Sequence, residues 1–179
     1  HSSLQEAKRP DRTRHVKRIV SATSPLISLE KIDGGYKFFR QLYDKVLVPP
    51  AVLRELAAGP FENEEAYLSH FGIDDLLQVE TPEHSEREET EHLDPGEREA
   101  IALALEFDLP LLIEEEAGRT LAREFGIRIS GIAGQILQAV REEIISADRG
   151  NRMLVALKRK GRINQQVFES VNSAIDEEA

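Results

Sequence analysis

The stretch "HVKRIVSATSPLISL" (15–29) decides the fold class, because it joins a short strand to a helix within a few residues. A strand is predicted over 16–21, and the apolar run of a helix follows it. Ser24 and Pro25 are typical of a helix N-cap and a first helical position, since proline lacks the N–H group that is unsatisfied there. The sequence thus predicts a strand-to-helix corner, where α/β proteins commonly bind their ligands. Ala22, at this corner, carries no functional group.

Short apolar segments alternate with helical ones along the rest of the chain. Further strands are predicted in "KVLV" (45–48), "LLQVE" (76–80), "LPLLI" (109–113) and "IRIS" (127–130). Helices are predicted between them, and two more follow at the C-terminal end. This alternation predicts an α/β fold, a three-layer α/β/α sandwich with a central parallel sheet and additional C-terminal helices.

The charge distribution divides the chain into an arm, a main domain and an extension. Residues 1–18 contain six basic and two acidic residues, so the net charge of −10 leaves about −14 on the remainder. We expect residues 1–16 to be a basic flexible arm, with His1–Ser3 interpreted as an expression remnant. Residues 17–145 are predicted to form the main domain, which includes a solvated acidic loop over 81–94. Residues 146–179 are expected to be a helical extension packed on that domain.

Several classes of protein are disfavoured by what the sequence lacks. It has no cysteine, which excludes disulfides, zinc–thiolate sites and thiol nucleophiles. No apolar run is long enough for a transmembrane helix and no secretory leader is recognisable, so a cytoplasmic location without membrane association is expected. Neither a glycine-rich phosphate loop nor the HExxH or GxSxG motif of metalloproteases and serine hydrolases occurs.

Acidic residues follow one of the predicted strands at its carboxyl end. Glu114 and Glu115 come directly after "LPLLI", and carboxylate oxygens are the ligands that Mg²⁺ or Mn²⁺ prefers. The alternative is that Glu114 to Glu116 only begin the next helix, where negative charge meets the positive end of the helix dipole. Both interpretations stay open at this stage.

Two further acids have equally simple structural explanations. Asp94-Pro95-Gly96-Glu97 fits a capping box, in which Asp94 is the N-cap and the side chain of Glu97 reaches back to it. Glu55 borders the apolar face of the helix predicted in "AVLRELAA". Capping does not prevent Glu97 from projecting into a cleft, so both acids remain candidates.

Four segments, "IVSATSPLISLEKI", "VLVPPAVLREL", "LDPGEREAIALAL" and "LPLLIEEEAGRTLAREFGIRISGIAGQIL", occur in the order and spacing of a known family. Over about residues 17–145 the chain resembles the PIN-domain proteins, specifically a VapC-like subgroup of prokaryotic toxin–antitoxin loci. The resemblance implies a dimeric endoribonuclease that uses Mg²⁺ or Mn²⁺, is a phosphodiester hydrolase acting on RNA, and is inhibited by a small antitoxin protein. The metal would lower the pKa of bound water and offset charge on the scissile phosphate.

The resemblance also assigns roles to individual residues. The positions of the four family acids fall on Ala22, Glu55, Glu97 and Glu114, with Glu115 beside the last. In this assignment Glu97 and Glu114 hold the metal, and Glu55 and Glu115 assist them. The polar positions that line the first corner are matched by Thr23 and Ser24.

This chain departs from the family pattern at three places. Ala22 cannot ligate a metal, Glu114 and Glu115 stand where aspartates are common, and Ile132 replaces a frequent threonine. Three explanations stay open: a deliberate silencing change at position 22, a working site with fewer acids, or a degenerate site.

The alternative to an enzyme is a catalytically degenerate PIN-like module that binds RNA or an antitoxin partner. A less specific alternative is an acidic α/β protein that hydrolyses small phosphorylated molecules. If the protein acts on RNA, as an endoribonuclease or as a binding module, Lys158, Arg159 and Lys160 are the predicted RNA contacts. They belong to a basic run, "KRKGR" (158–162), that also fits a helix end with a glycine cap.

Overall fold

The computed structural model describes residues 16–178, so all but the last residue of the predicted basic arm lies outside the described part. Within it the first half of the chain forms β1 (Arg18–Ser21), α1 (Thr23–Glu30), α2 (Gly35–Arg40), β2 (Lys45–Val48), α3 (Pro50–Ala57), α4 (Glu64–Phe71) and β3 (Leu77–Val79). The second half forms α5 (Pro95–Phe107), β4 (Leu111–Leu112), α6 (Glu116–Glu124), β5 (Ile129–Ser130), α7 (Ile132–Arg141), α8 (Ala147–Arg159) and α9 (Gln165–Glu178).

The five strands form one parallel sheet in the order β3-β2-β1-β4-β5. In the register, Ile19 pairs with Val46 on one side of β1, and Val20 pairs with Leu111 on the other. The chain first builds outward from β1 to β3 and then returns to place β4 on the opposite side. The boundary between β1 and β4 is therefore the switch point of the topology, where open α/β sheets bind ligands.

Both faces of the sheet are buried against helices, because successive side chains of a strand point to opposite faces. Ile19 and Leu112 belong to one apolar core, together with residues of α1, α2, α7 and the C-terminal helices. Val20 and Leu111 belong to a second core, with residues of α5 and α6. The predicted three-layer α/β/α sandwich with a parallel sheet is confirmed.

The first helix begins two residues earlier than the sequence predicts. It starts at Thr23, with Ala22 as the N-cap and with no side-chain cap, so the prediction of Ser24 as N-cap and Pro25 as first helical residue is wrong. The backbone N–H of Ala22, directly after the end of β1 at Ser21, donates to the carbonyl of Leu112 on β4 at 3.0 Å. The sheet rather than a capping side chain sets this boundary.

The acidic loop and the C-terminal helices complete the chain. The loop contains a short 3₁₀ helix (Glu88–Thr90) and the buried residues Thr90 and Leu93. Helices α8 and α9 pack on the main domain through Leu154, Leu157 and Ile175, which are inaccessible to solvent. Among the described residues no helix is long and apolar enough to cross a membrane.

Candidate metal centre

The candidate site lies at the carboxyl ends of β1 and β4. The pairing of Ser21 with Leu112 places Ala22 beside the segment Ile113-Glu114, so the two corners that the sequence singled out are neighbours. The N-termini of α1, α5 and α6 converge on the same edge of the sheet. Short strands and helix starts thus bring polar residues from distant parts of the chain into one cleft.

This cleft has a volume of about 270 Å³. Its walls include the seven residues predicted at the first corner and at the acid positions: Ala22, Thr23, Ser24, Glu55, Glu97, Glu114 and Glu115. Asp94, Ile27 and Arg162 line it as well. The predicted RNA contacts, Lys158, Arg159 and Lys160, are exposed at the end of α8 and do not line it.

One part of the cleft, the carboxylate side, consists of Asp94, Glu97 and Glu115. One carboxylate oxygen from each of these residues lies within 4.8 Å of the others. Asp94 caps α5 by accepting a hydrogen bond from the backbone N–H of Glu97 at 2.8 Å, which confirms its predicted role as N-cap. The side chain of Glu97 faces Glu115 instead of closing the predicted capping box.

Burial and neighbouring negative charge raise the pKa of Glu97. Its side chain is only 7% exposed. Desolvation, the hydrogen bond with Glu115 and the negative charges of Asp94, Glu115 and Glu55 together raise the pKa of Glu97 from 4.5 to about 8. Three carboxylates at this spacing repel one another unless a proton or a cation offsets their charge. Their oxygens match the donor set of a hard divalent cation, so the residues fit Mg²⁺ or Mn²⁺.

Two glycines allow the helices to approach this closely. A Cβ atom on Gly118 would lie 2.5 Å from the Cδ1 atom of Ile113 and 3.2 Å from an oxygen of Glu97. A Cβ atom on Gly96 would lie 2.7 Å from Glu55 Oε1. Glu55 also accepts a hydrogen bond from the hydroxyl of Thr23, which links α3 to the first turn of α1.

The other part of the cleft, the arginine side, consists of Ser24, Glu114 and Arg162, with the buried Ser28 in contact with Glu114 and Arg162. Glu114 Oε1 accepts hydrogen bonds from the hydroxyls of Ser28 at 2.9 Å and Ser24 at 3.3 Å. Its second oxygen, Oε2, accepts one from the backbone N–H of Ile132, at the start of α7, at 3.0 Å. Both oxygens of Glu114 are thus engaged by the protein itself.

Arg162 closes this part of the cleft from the loop between α8 and α9. Its Nη2 atom lies 2.6 Å from Ser24 Oγ, 3.0 Å from the carbonyl oxygen of Ser24 and 3.9 Å from Glu114 Oε1. Its Nε atom donates to Ser28 Oγ at 3.0 Å. Gly161 has a positive φ of 71°, and the N–H of Arg162 bonds to the carbonyl of Leu157, so the end of α8 fixes where this side chain starts.

Two residues of the site were not identified as such from the sequence. Asp94 was assigned only to capping, although its place three residues before Glu97 at a helix start could have indicated that both acids share a cleft. Arg162 was noted only as part of the basic run. No local signal indicates its contact with Ser28, which is 134 residues away along the chain.

A parallel α/β/α sandwich with clustered carboxylates at the switch point of its sheet defines an α/β domain with a candidate metal centre. A family model described as a PIN domain matches residues 18–177, and the chain belongs to this family. No curated protein matches the sequence significantly. The predicted PIN-domain membership is therefore confirmed, and the match extends through the C-terminal helices that the resemblance did not cover.

Proposed function

We propose that this protein is a metal-dependent endoribonuclease of the VapC toxin type. The observation that carries the proposal is the cluster of Asp94, Glu97 and Glu115 in a PIN-domain cleft. The proposal includes Mg²⁺ or Mn²⁺ as cofactor, RNA as substrate, a small antitoxin protein as inhibitor, a homodimeric state and a cytoplasmic location. The PIN fold and the acidic cluster support the first two of these, and the others rest on the resemblance alone.

The carboxylate side is the better match to a cation. Asp94, Glu97 and Glu115 would hold it, whereas Glu114, a metal ligand in the assignment by resemblance, has both oxygens engaged. When bound, such an ion supplies an activated water molecule and offsets charge on a phosphodiester. Glu97 must lose its proton to become a ligand, so its raised pKa makes the site sensitive to pH.

The other residues of the cleft hold its walls in place around the carboxylates. Thr23 and Glu55 fix the first turn of α1 against α3. Gly96 leaves room for Glu55 and Thr23, and Gly118 leaves room for the carboxylate of Glu97. Lys158, Arg159 and Lys160 form an exposed positive patch that would attract the RNA backbone to an otherwise acidic protein.

The experiment that tests the proposal combines calorimetry with RNA cleavage. Mn²⁺ is titrated into the wild-type chain, the Glu97→Gln/Glu115→Gln variant and, as control, the exposed Glu124→Gln variant. We expect saturable binding that only the double variant loses, and cleavage of single-stranded RNA that EDTA abolishes. A wild-type chain that neither binds Mn²⁺ or Mg²⁺ nor cleaves RNA contradicts the proposal.

A second candidate function is a catalytically degenerate module that binds RNA or an antitoxin partner. The observation that favours it is Ala22, which lines the cleft at a position where the resemblance places an acid. The Ala22→Asp variant separates the two candidates. RNA binding without cleavage by the wild-type chain, together with cleavage by Ala22→Asp, would favour the binding module, whereas cleavage by both favours the enzyme.

A further inference from the structure

The guanidinium of Arg162 is held rigidly inside the cleft. Three hydrogen bonds tie it to Ser24 and Ser28, on the first two turns of α1, and its own backbone closes the end of α8. Arg162 and Glu114 are 23% and 15% exposed, so the pair is largely removed from water. A salt bridge at 3.9 Å in such surroundings is screened far less than one on the surface.

Arg162 differs in this respect from the exposed cations at the end of α8. Lys158, Arg159 and Lys160 are exposed and on the outside of the same helix end. Arg162 lines the cleft and also the adjoining groove between α7 and α9, and its Nη1 atom has no hydrogen-bond partner among residues 16–178. One edge of the guanidinium is therefore bound to the protein, and the other is available to a ligand.

The two parts of the cleft differ in how the negative charge of their acids is offset. On the carboxylate side, three acids stand together with no cationic side chain among them. On the arginine side, one acid has a guanidinium beside it and three donors on its oxygens. A guanidinium is a permanent positive charge whose planar donors match the oxygens of a phosphate. Two cations are the usual arrangement for clamping the attacking and leaving oxygens of a phosphodiester.

We infer that Arg162 occupies the place of a second cation in this cleft, so that the chain holds a single divalent ion, at Asp94, Glu97 and Glu115. In this arrangement Arg162 neutralises Glu114 and binds a substrate phosphate through its free edge. Arg162 is then a substrate-binding residue, and the loop between α8 and α9 is part of the site. This inference deepens the proposed function and rests on it for the identity of the substrate.

The test is a double-mutant cycle read by Mn²⁺ calorimetry, with no measurement of activity. The wild-type chain, Arg162→Met, Glu114→Gln and the double variant are compared, and thermal unfolding verifies that each is folded. We expect one ion in the wild type and in Glu114→Gln, with affinities within threefold. Arg162→Met removes the counter-charge of Glu114, whose Oε2 accepts only one hydrogen bond, so we expect this variant to gain a second, weaker ion that the double variant loses again.

The outcomes separate this inference from the proposed function. An Arg162→Met variant that gains no ion, or a Glu114→Gln variant that loses the wild-type ion, overturns the inference. A wild-type chain that binds no ion contradicts the proposed metal dependence. That outcome also overturns the single-ion arrangement, and the phosphate contact of Arg162 is then decided separately by RNA binding in EDTA.

The phosphate contact is tested with RNA that cannot be cleaved, such as a 2′-O-methyl oligonucleotide, in the presence of EDTA. Arg162→Met is expected to weaken binding about tenfold and to lower the slope of log affinity against log salt by about 0.7, the contribution of one contact to a single strand. Arg162→Lys restores the charge without the Nε and Nη2 donors that hold the guanidinium on Ser24 and Ser28, so it recovers only part of the loss. Arg123→Met, on the exposed end of α6, serves as control. Equal binding by Arg162→Met and the control would overturn this role of Arg162.

Discussion

The carboxylate side and the arginine side of the cleft meet at two consecutive residues and differ in their effect on stability. Glu114 and Glu115 are consecutive, yet Glu114 accepts three hydrogen bonds whereas Glu115 adds its charge to Asp94 and Glu97. The first arrangement stabilises the folded chain, because each oxygen of Glu114 has a donor. The second costs stability until a proton or a cation arrives. Of these two neighbouring residues, Glu114 therefore stabilises the fold and Glu115 belongs to the candidate ion site.

The largest effect is expected from neutralising Glu114. In Glu114→Gln the amide has only one acceptor oxygen, so it cannot satisfy both the N–H of Ile132 and the two serine hydroxyls, and Arg162 loses its counter-charge. We expect a loss of about 1.5–3 kcal/mol in the free energy of unfolding. Urea denaturation measures it against Glu124→Gln. Equal stabilities would show that the arginine side is not a stabilising network.

A substitution at Gly118 is expected to destabilise the carboxylate side by a steric clash, without changing any charge. In Gly118→Ala the new Cβ collides with Ile113 and crowds Glu97, and we expect a loss of about 1–3 kcal/mol. Gly134→Ala is the matched control, because its Cβ has no neighbour closer than 3.9 Å and alanine favours a helix. Urea denaturation of both variants checks this, and a Gly118→Ala chain as stable as Gly134→Ala contradicts it.

Neutralising Glu97 is expected to raise the free energy of unfolding, whereas neutralising Glu114 is expected to lower it. The pKa of Glu97 is raised to about 8 in the folded chain, so the folded state holds a proton that the unfolded state releases above pH 4.5. The stability of the metal-free protein therefore falls as the pH rises from about 4.5 to 8. Glu97→Gln removes this loss, and at pH 8 we expect it to be more stable by about 1–2 kcal/mol.

Thermal unfolding in EDTA across this pH range measures the effect, with Glu124→Gln showing the pH dependence of the remaining groups. For a chain of this size the expected gain corresponds to a rise of about 2–8 °C in Tm. Parallel curves for Glu97→Gln and wild type would mean that Glu97 ionises normally in the folded protein.

The sequence predicted those features that depend on local chemistry. The alternation of elements predicts the layers and the parallel sheet, Asp94 caps α5 as expected, and Gly161 follows the end of α8. The predicted start of α1 is wrong because Ser24 and Pro25 are typical of a helix start, whereas the bond of Ala22 to β4 makes Ala22 the N-cap and Thr23 the first helical residue.

The different roles of the acids in the cleft could not be predicted from local sequence. The resemblance treats Glu114 as a metal ligand, and nothing near it in the sequence indicates that Ser28 and Arg162 engage it. These contacts span 86 and 134 residues and depend on how α8 and α9 dock on α1. The role of Arg162 thus emerges only from the tertiary structure.

The smallest effect is expected from the exposed basic run outside the cleft. Changing Lys158, Arg159 and Lys160 together to Gln removes three charges that face solvent, so their contribution to RNA affinity is electrostatic and independent of sequence. We expect the affinity for uncleavable RNA to fall several-fold and the salt slope to decrease by about 2, since each contact to a single strand contributes about 0.7. Lys37→Gln/Arg123→Gln, with two exposed charges elsewhere, is the control. An affinity and salt slope equal to those of this control would exclude the basic run from RNA binding and leave Arg162 as the phosphate contact to be tested.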